Sequence, residues 1–164
     1  MRWLETRIPP PLMLLCAGIG WLGSRLWPEA VLPLPMRALM SGGVMGIGVA
    51  LNLLPKLAFQ RERTTVNPLR PSASSALVTR GMYRYTRNPM YLGQATILTG
   101  AMWYLQNTIA LLAVPLFVLY ITWLQIMPEE RALLARFPDV YPMFRQRVRR
   151  WLWRASPVIE RSGT

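Results

Sequence analysis

Histidine is absent from the 164 residues, and Cys16 is the only cysteine. That excludes an intrachain disulfide, a Cys/His zinc site, and every hydrolase that pairs a Ser or Cys nucleophile with a histidine base. Left open is chemistry that makes few proton transfers, or chemistry that a cofactor carries. Cys16 sits in an apolar stretch and reads as a small core residue. Acidic residues are scarce too, 7 against 19 Lys and Arg, for a formal net charge of +12. Charged residues of both signs make up 16% of the chain and hydrophobic ones 52%. The cations gather in a few segments between long uncharged runs. That distribution belongs in a bilayer and argues against the nucleic-acid partner that a soluble chain of this charge would suggest.

The pattern predicts a single all-α membrane domain over residues 1–164, with about four transmembrane helices near 9–27, 36–59, 90–105 and 109–127, and short cytosolic C-terminal helices. A basic head before the first run imitates a secretory signal. Trp21, Trp27 and the want of a small-x-small cleavage site fit a retained helix better. In the second run, Gly42 and Gly46 have the spacing that lets helix backbones approach closely. They are the expected packing face, against another helix of this chain or, in a homodimer, against a second copy. The third run is short for a lone span, roughly 24 Å as a helix, and so should pack on protein. The uncharged Gln106-Asn107 turn joins it to the fourth, where Pro115 predicts a kink.

Segment 60–88 is long, polar and rich in arginine. Past Pro128 the chain turns polar again. A short helix is expected from Glu129 to Phe137, stopped at Pro138-Asp139. From Tyr141 to Trp153 the spacing of Phe144, Val148, Trp151 and Leu152 predicts a basic amphipathic helix lying on an anionic leaflet. With the N-terminus, the long loop and the C-terminal part inside, 17 of the 19 cations are cytoplasmic. Both termini then lie in the cytoplasm, and the long loop and the C-terminal segment share one face of an inner-membrane protein.

Two constellations fall on that face. The stretch Leu77 to Gly93 crowds glycines, tyrosines, threonines and arginines just before a hydrophobic run. The pair Glu129-Glu130 stands at a membrane boundary, where carboxylates are costly unless paired. Bland readings exist for both: an interfacial basic loop, and acidic residues at the positive end of a helix dipole. A functional reading makes the carboxylates partners for a cationic ligand and the arginines partners for its carboxylate or hydroxyls.

The residues of Leu77 to Gly93 are similar to Gly-x-Tyr-Arg-x-x-Arg-His-Pro-x-Tyr-x-Gly. Those of Pro128 to Phe137, with Tyr141, Phe144, Val148 and Arg149 or Arg150, follow a second pattern that begins Glu-Glu. In this order the two motifs resemble the isoprenylcysteine carboxyl methyltransferase-like and phospholipid methyltransferase family of integral-membrane enzymes, over roughly residues 60–152. The resemblance implies S-adenosyl-L-methionine as methyl donor and a small or lipophilic acceptor that enters from the membrane. It implies donor contacts from Val78, Thr79, Gly81, Tyr83, Arg84, Arg87, Asn88, Pro89, Tyr91, Gly93, Glu129, Glu130 and Tyr141, with Glu130 and Arg87 closest to the chemistry and no metal. A sulfonium is already an activated donor, so transfer needs positioning more than an acid–base relay, as a chain without histidine requires. Asn88, Met82 and Pro138 depart from the pattern where relatives carry His, Pro and Gly. Two other readings stand beside this one: an NADPH-dependent membrane reductase of sterol-reductase type, and a non-enzymatic membrane adaptor.

Overall fold

A computed structural model of the chain describes residues 9–27, 31–61 and 81–152. The regular structure among these residues is all helical, without a sheet. Helix α1 spans Pro9–Leu26, α2 Leu34–Arg61, α3 Pro89–Leu105, α4 Thr108–Leu111, α5 Ala113–Ile121, α6 Met127–Arg136 and α7 Val140–Arg147. A 3-10 turn, Gly81–Arg84, precedes α3, and a π-helical turn, Thr122–Ile126, joins α5 to α6. Two stretches, Leu34–Leu57 and Thr108–Arg136, are long and apolar enough to cross a membrane. The Met13–Leu26 stretch of α1 is shorter, and α3 has 17 residues. The apolar run of the last rod ends at Met127, where Pro128 and the charged residues from Glu129 onward begin.

Local chemistry sets the helix ends. Pro89 opens α3 at a position where its missing N–H costs nothing. Gln106 closes it in the left-handed conformation, φ 47°, with its N–H on the Trp103 carbonyl. The Gln106 side-chain oxygen then accepts from the N–H groups of Val31 and Leu32 at 3.0 and 2.8 Å. Asn107 caps α4 by accepting from Ala110 N–H at 3.0 Å, and its amide donates to the Trp27 carbonyl. The uncharged turn therefore ties down the α1–α2 link. Three residues before Pro115 the helix breaks at Leu112, whose N–H reaches the Ile109 carbonyl at 3.1 Å. Proline lacks the N–H that the Leu111 carbonyl would otherwise receive, so the hydrogen-bond ladder is interrupted at this turn.

Helices α2 and α3 pack closely, yet not through the Gly42/Gly46 pair. A Cβ on Gly42, Gly43 or Gly46 would meet nothing within 4 Å. A Cβ on Gly93 would stand 2.7 Å from Asn52 N and from the Gly48 carbonyl, and one on Gly100 would stand 3.0 Å from the Ser41 carbonyl. The stripe facing α3 is thus Ser41, Met45, Gly48 and Asn52, about a quarter turn round the helix from the expected one. On the other side of α3, Leu98 and Met102 join Cys16, Ala110, Ala113, Phe117 and Ile121 in the main core, with Gly20 of α1 against Met102.

The C-terminal part also differs from expectation. Helix α7 ends at Arg147, and Val148 is extended, φ −128° and ψ 131°. Its Tyr141, Phe144 and Val148 form a second small core with Tyr83, Leu133 and Phe137. Residues 149–152 do not continue the predicted amphipathic helix; the carbonyls of Arg149 and Arg150 are bonded instead to the loop before α3. The Arg87 N–H donates to the Arg149 carbonyl at 3.0 Å, and the Asn88 amide to the Arg150 carbonyl at 2.9 Å. Trp151 packs on the main core, and its indole N–H donates to Thr122 Oγ1 at 3.1 Å.

Candidate functional site

The segment that leads into α3 is built for tight turning. Gly81 opens the 3-10 turn at φ 62°, a conformation that favours glycine. Thr86 is buried; its hydroxyl accepts from Asn88 N–H at 3.1 Å and donates to the Arg150 carbonyl at 3.2 Å. These bonds fix residues 86–88 against 149–150. Arg87 is thereby aimed at α6, where its Nη1 stands 3.0 Å from Glu130 Oε1. Arg150 completes a fork on the same carboxylate, Nε to Oε1 at 3.0 Å and Nη2 to Oε2 at 2.8 Å. Tyr141 adds its hydroxyl 3.4 Å from Arg87 Nη1. The Glu130 and Arg87 side chains are only 11% and 9% exposed, so the pair lies in a low-dielectric setting where its bonds are strong.

Glu129 has different company. Its Oε1 accepts from the Tyr91 hydroxyl at 2.6 Å and from Gln125 Nε2 at 2.5 Å. Both donors are neutral. Burial pushes the Glu129 carboxyl up to about 7; the bonds from Tyr91 and Gln125 oppose that rise, and the neighbouring Glu130 charge adds to it. Burial likewise raises Tyr83, with Glu129 as the second cause. Tyr141 is raised by burial and by Glu130, against the pull of Arg87. Arg150 is held above its ordinary value chiefly by its bond to Glu130. Two adjacent carboxylates thus differ in kind: one is neutralised by a pair of guanidiniums, the other is held by neutral donors.

Of the residues singled out in the sequence, Arg87, Asn88, Tyr91, Glu129, Glu130 and Tyr141 come together here, with Tyr83 beside them. Gly81 and Pro89 shape the approach, and Arg84 ends the 3-10 turn on the exposed side. Gly93 serves the α2 contact instead, where a side chain would strike backbone. Val78 and Thr79 lie outside the described residues. Sequence reasoning did not single out Gln125 or Thr86, and it left Arg149 and Arg150 undivided. The signal for Gln125 was a lone amide in an otherwise apolar run. For Arg150 it was the second motif's terminal arginine, obscured by a neighbour of the same type.

Fold and site together define a helical membrane protein whose polar end carries two adjacent carboxylates locked to an arginine-bearing loop. The sequence profile of the phospholipid methyltransferase family matches residues 36–139. The chain belongs to that family, which suggests membrane methyltransferase activity. An uncharacterised protein of Haemophilus influenzae is 43% identical over 63 residues, which is 38% of this chain and all of the relative. No solved structure matches. The matched segment stops before α7, so Arg150 and Trp151 lie beyond it.

Proposed function

We propose that the protein transfers a methyl group from S-adenosylmethionine to a small or lipophilic acceptor that enters from the membrane, at the cytoplasmic face of the inner membrane. The observation that carries this reading is the meeting of two motifs about forty residues apart in the chain: Arg87 on Glu130 at 3.0 Å and Tyr91 on Glu129 at 2.6 Å. The donor set fits a cationic methyl donor. Glu129 is a half-buried carboxylate held by neutral groups and pushed up to about 7, and an adjacent positive charge would offset its desolvation. When bound, the donor supplies an activated methyl group that needs alignment and exclusion of water.

In this reading Glu129 orients the positive end of the donor. Glu130, with Arg87 and Arg150, closes the loop and the C-terminal segment over it. Tyr83 and Tyr91 line the approach from the 3-10 turn and the first turn of α3. The dinucleotide alternative is not favoured, because Arg87, one of the cations it needs for phosphates, is engaged by Glu130. Calorimetric titration of the protein in lipid nanodiscs with S-adenosylhomocysteine and with NADPH tests the reading. Binding of the first and not the second is expected, and the reverse would overturn it.

A further inference from the structure

The residues that follow α7 meet the last rod at two places, the first residue of its π-turn and the helix beyond it. Thr122 opens that turn, and its carbonyl accepts the Met127 N–H, the i to i+5 bond that defines a π-helix. Its hydroxyl donates to the Val118 carbonyl at 2.6 Å and accepts from the Trp151 indole N–H at 3.1 Å. Past the turn, the fork of Arg150 closes on Glu130. Two consecutive residues of the C-terminal strap thus grip points eight residues apart in the rod. In an unbroken α-helix those points would differ in direction by about 80°, and the extra residue of a π-turn brings them within about 20° of one another. The turn therefore decides which way the residues after it face. Without it, Glu129 and Glu130 would swing together by about 100°, one away from Tyr91 and the other away from Arg87.

We infer that Thr122 and Trp151 are positioning residues of this centre: by gripping the π-turn at its start and beyond its end, residues 150 and 151 lock the register that points Glu129 and Glu130 at the loop before α3. The inference rests on the methyl-transfer reading above and gives a part in it to Trp151, which lies beyond the matched family segment. The strap can hold the turn because it is anchored elsewhere. The carbonyls of Arg149 and Arg150 are bonded to the Arg87 N–H and the Asn88 amide, and Trp151 packs on the main core. Gln125 lies inside the turn and donates to Glu129, so the same register sets that bond as well. Thr122 and Trp151 act through the turn and through Arg150, not on the donor itself.

The test uses the full chain in nanodiscs, titrated with S-adenosylhomocysteine. Trp151→Phe keeps the ring in the core and removes the N–H; Thr122→Val keeps the shape and removes the hydroxyl. Each should weaken binding about three- to tenfold, the size of one lost hydrogen bond. The double variant should bind no worse than the poorer single one, because both changes break the same bond. Thr122→Ser, which keeps the hydroxyl, should bind as the wild type does. Wild-type affinity in either Trp151→Phe or Thr122→Val, whatever its melting midpoint, reduces the bond to a packing contact and overturns the inference. Losses that add in the double variant, or a Thr122→Ser as weak as Thr122→Val, overturn it too. Should Trp151→Phe fail to fold, the comparison of valine with serine at 122 carries the test. If the wild type does not bind S-adenosylhomocysteine, the proposed function falls, and hydrogen exchange then judges the clamp without any donor. Thr122→Val should speed exchange over 123–130 and leave α3 unchanged; unchanged exchange over 123–130 overturns the clamp as well.

Discussion

Glu129 and Glu130 are chain neighbours with opposite electrostatic situations, and substitutions should separate them. Glu130 holds two guanidiniums, of which Arg87 is buried and Arg150 half-buried, so Glu130→Gln leaves a buried cation short of a partner and should cost about 3 kcal/mol of stability. A double-mutant cycle of Glu130→Gln with Arg150→Gln, read by chemical denaturation in detergent, should return a coupling of about 1–3 kcal/mol. A coupling near zero would reduce the fork to a surface contact. Glu129 should act through its proton. With a folded pKa near 7 against an unfolded value of 4.5, the protonated form is the one that burial favours. Its contribution to stability is therefore full at low pH and is lost as pH rises to 7. Cation binding has the opposite sign, since it favours the carboxylate. S-adenosylmethionine should accordingly bind more tightly as pH rises from about 6 to 8 and release a proton near pH 7, measurable as a buffer-dependent heat. Glu129→Gln should abolish that dependence.

At the level of helices, what decides packing is which side of α2 faces α3. Gly93→Ala would place a methyl group 2.7 Å from backbone atoms of Asn52 and Gly48. Backbone cannot swing aside as a side chain can, so α2 and α3 must separate, at a cost of about 1–3 kcal/mol. Gly46→Ala meets open space and should be neutral or stabilising by up to about 1 kcal/mol, because alanine is the better helix former. Melting midpoints of the two variants check the pair, and equal destabilisation would mean that α2 is turned differently. The same comparison shows where sequence reasoning reached its end. Gly42 and Gly46 satisfy the four-residue rule as well as any pair, but the rule gives a spacing and not a direction, and only the partner helix supplies that. The Glu-Glu motif and the loop before α3 were legible because their residue types are costly at a membrane boundary without a purpose. The course of 148–152 was not. Its apolar spacing suits a helix, while the bonds that hold it straight come from Arg87 and Asn88, some sixty residues away.

Across the whole molecule, two groups of polar interactions sit at opposite ends of the helices. At one end Gln106 and Asn107 fasten the α1–α2 link without any charge; at the other, Glu129, Glu130, Arg87 and Arg150 gather with most of the chain's cations. Cations near span ends are retained on the cytoplasmic side. The end that carries Arg87 and α7 should therefore face the cytoplasm, and the Gln106 turn should face outward. Cysteine scanning tests this directly. Cys16 is buried and is replaced by alanine to give a silent background. Single cysteines then report from Val31, which is 88% exposed beside the Gln106 turn, and from the exposed Gln146 of α7. A membrane-impermeant maleimide added to intact spheroplasts should label Val31→Cys and spare Gln146→Cys until the membrane is opened. Labelling in the opposite order would place the carboxylate pair outside the cell, away from any cytosolic supply of a nucleoside methyl donor, and the methyl-transfer reading would lose its substrate.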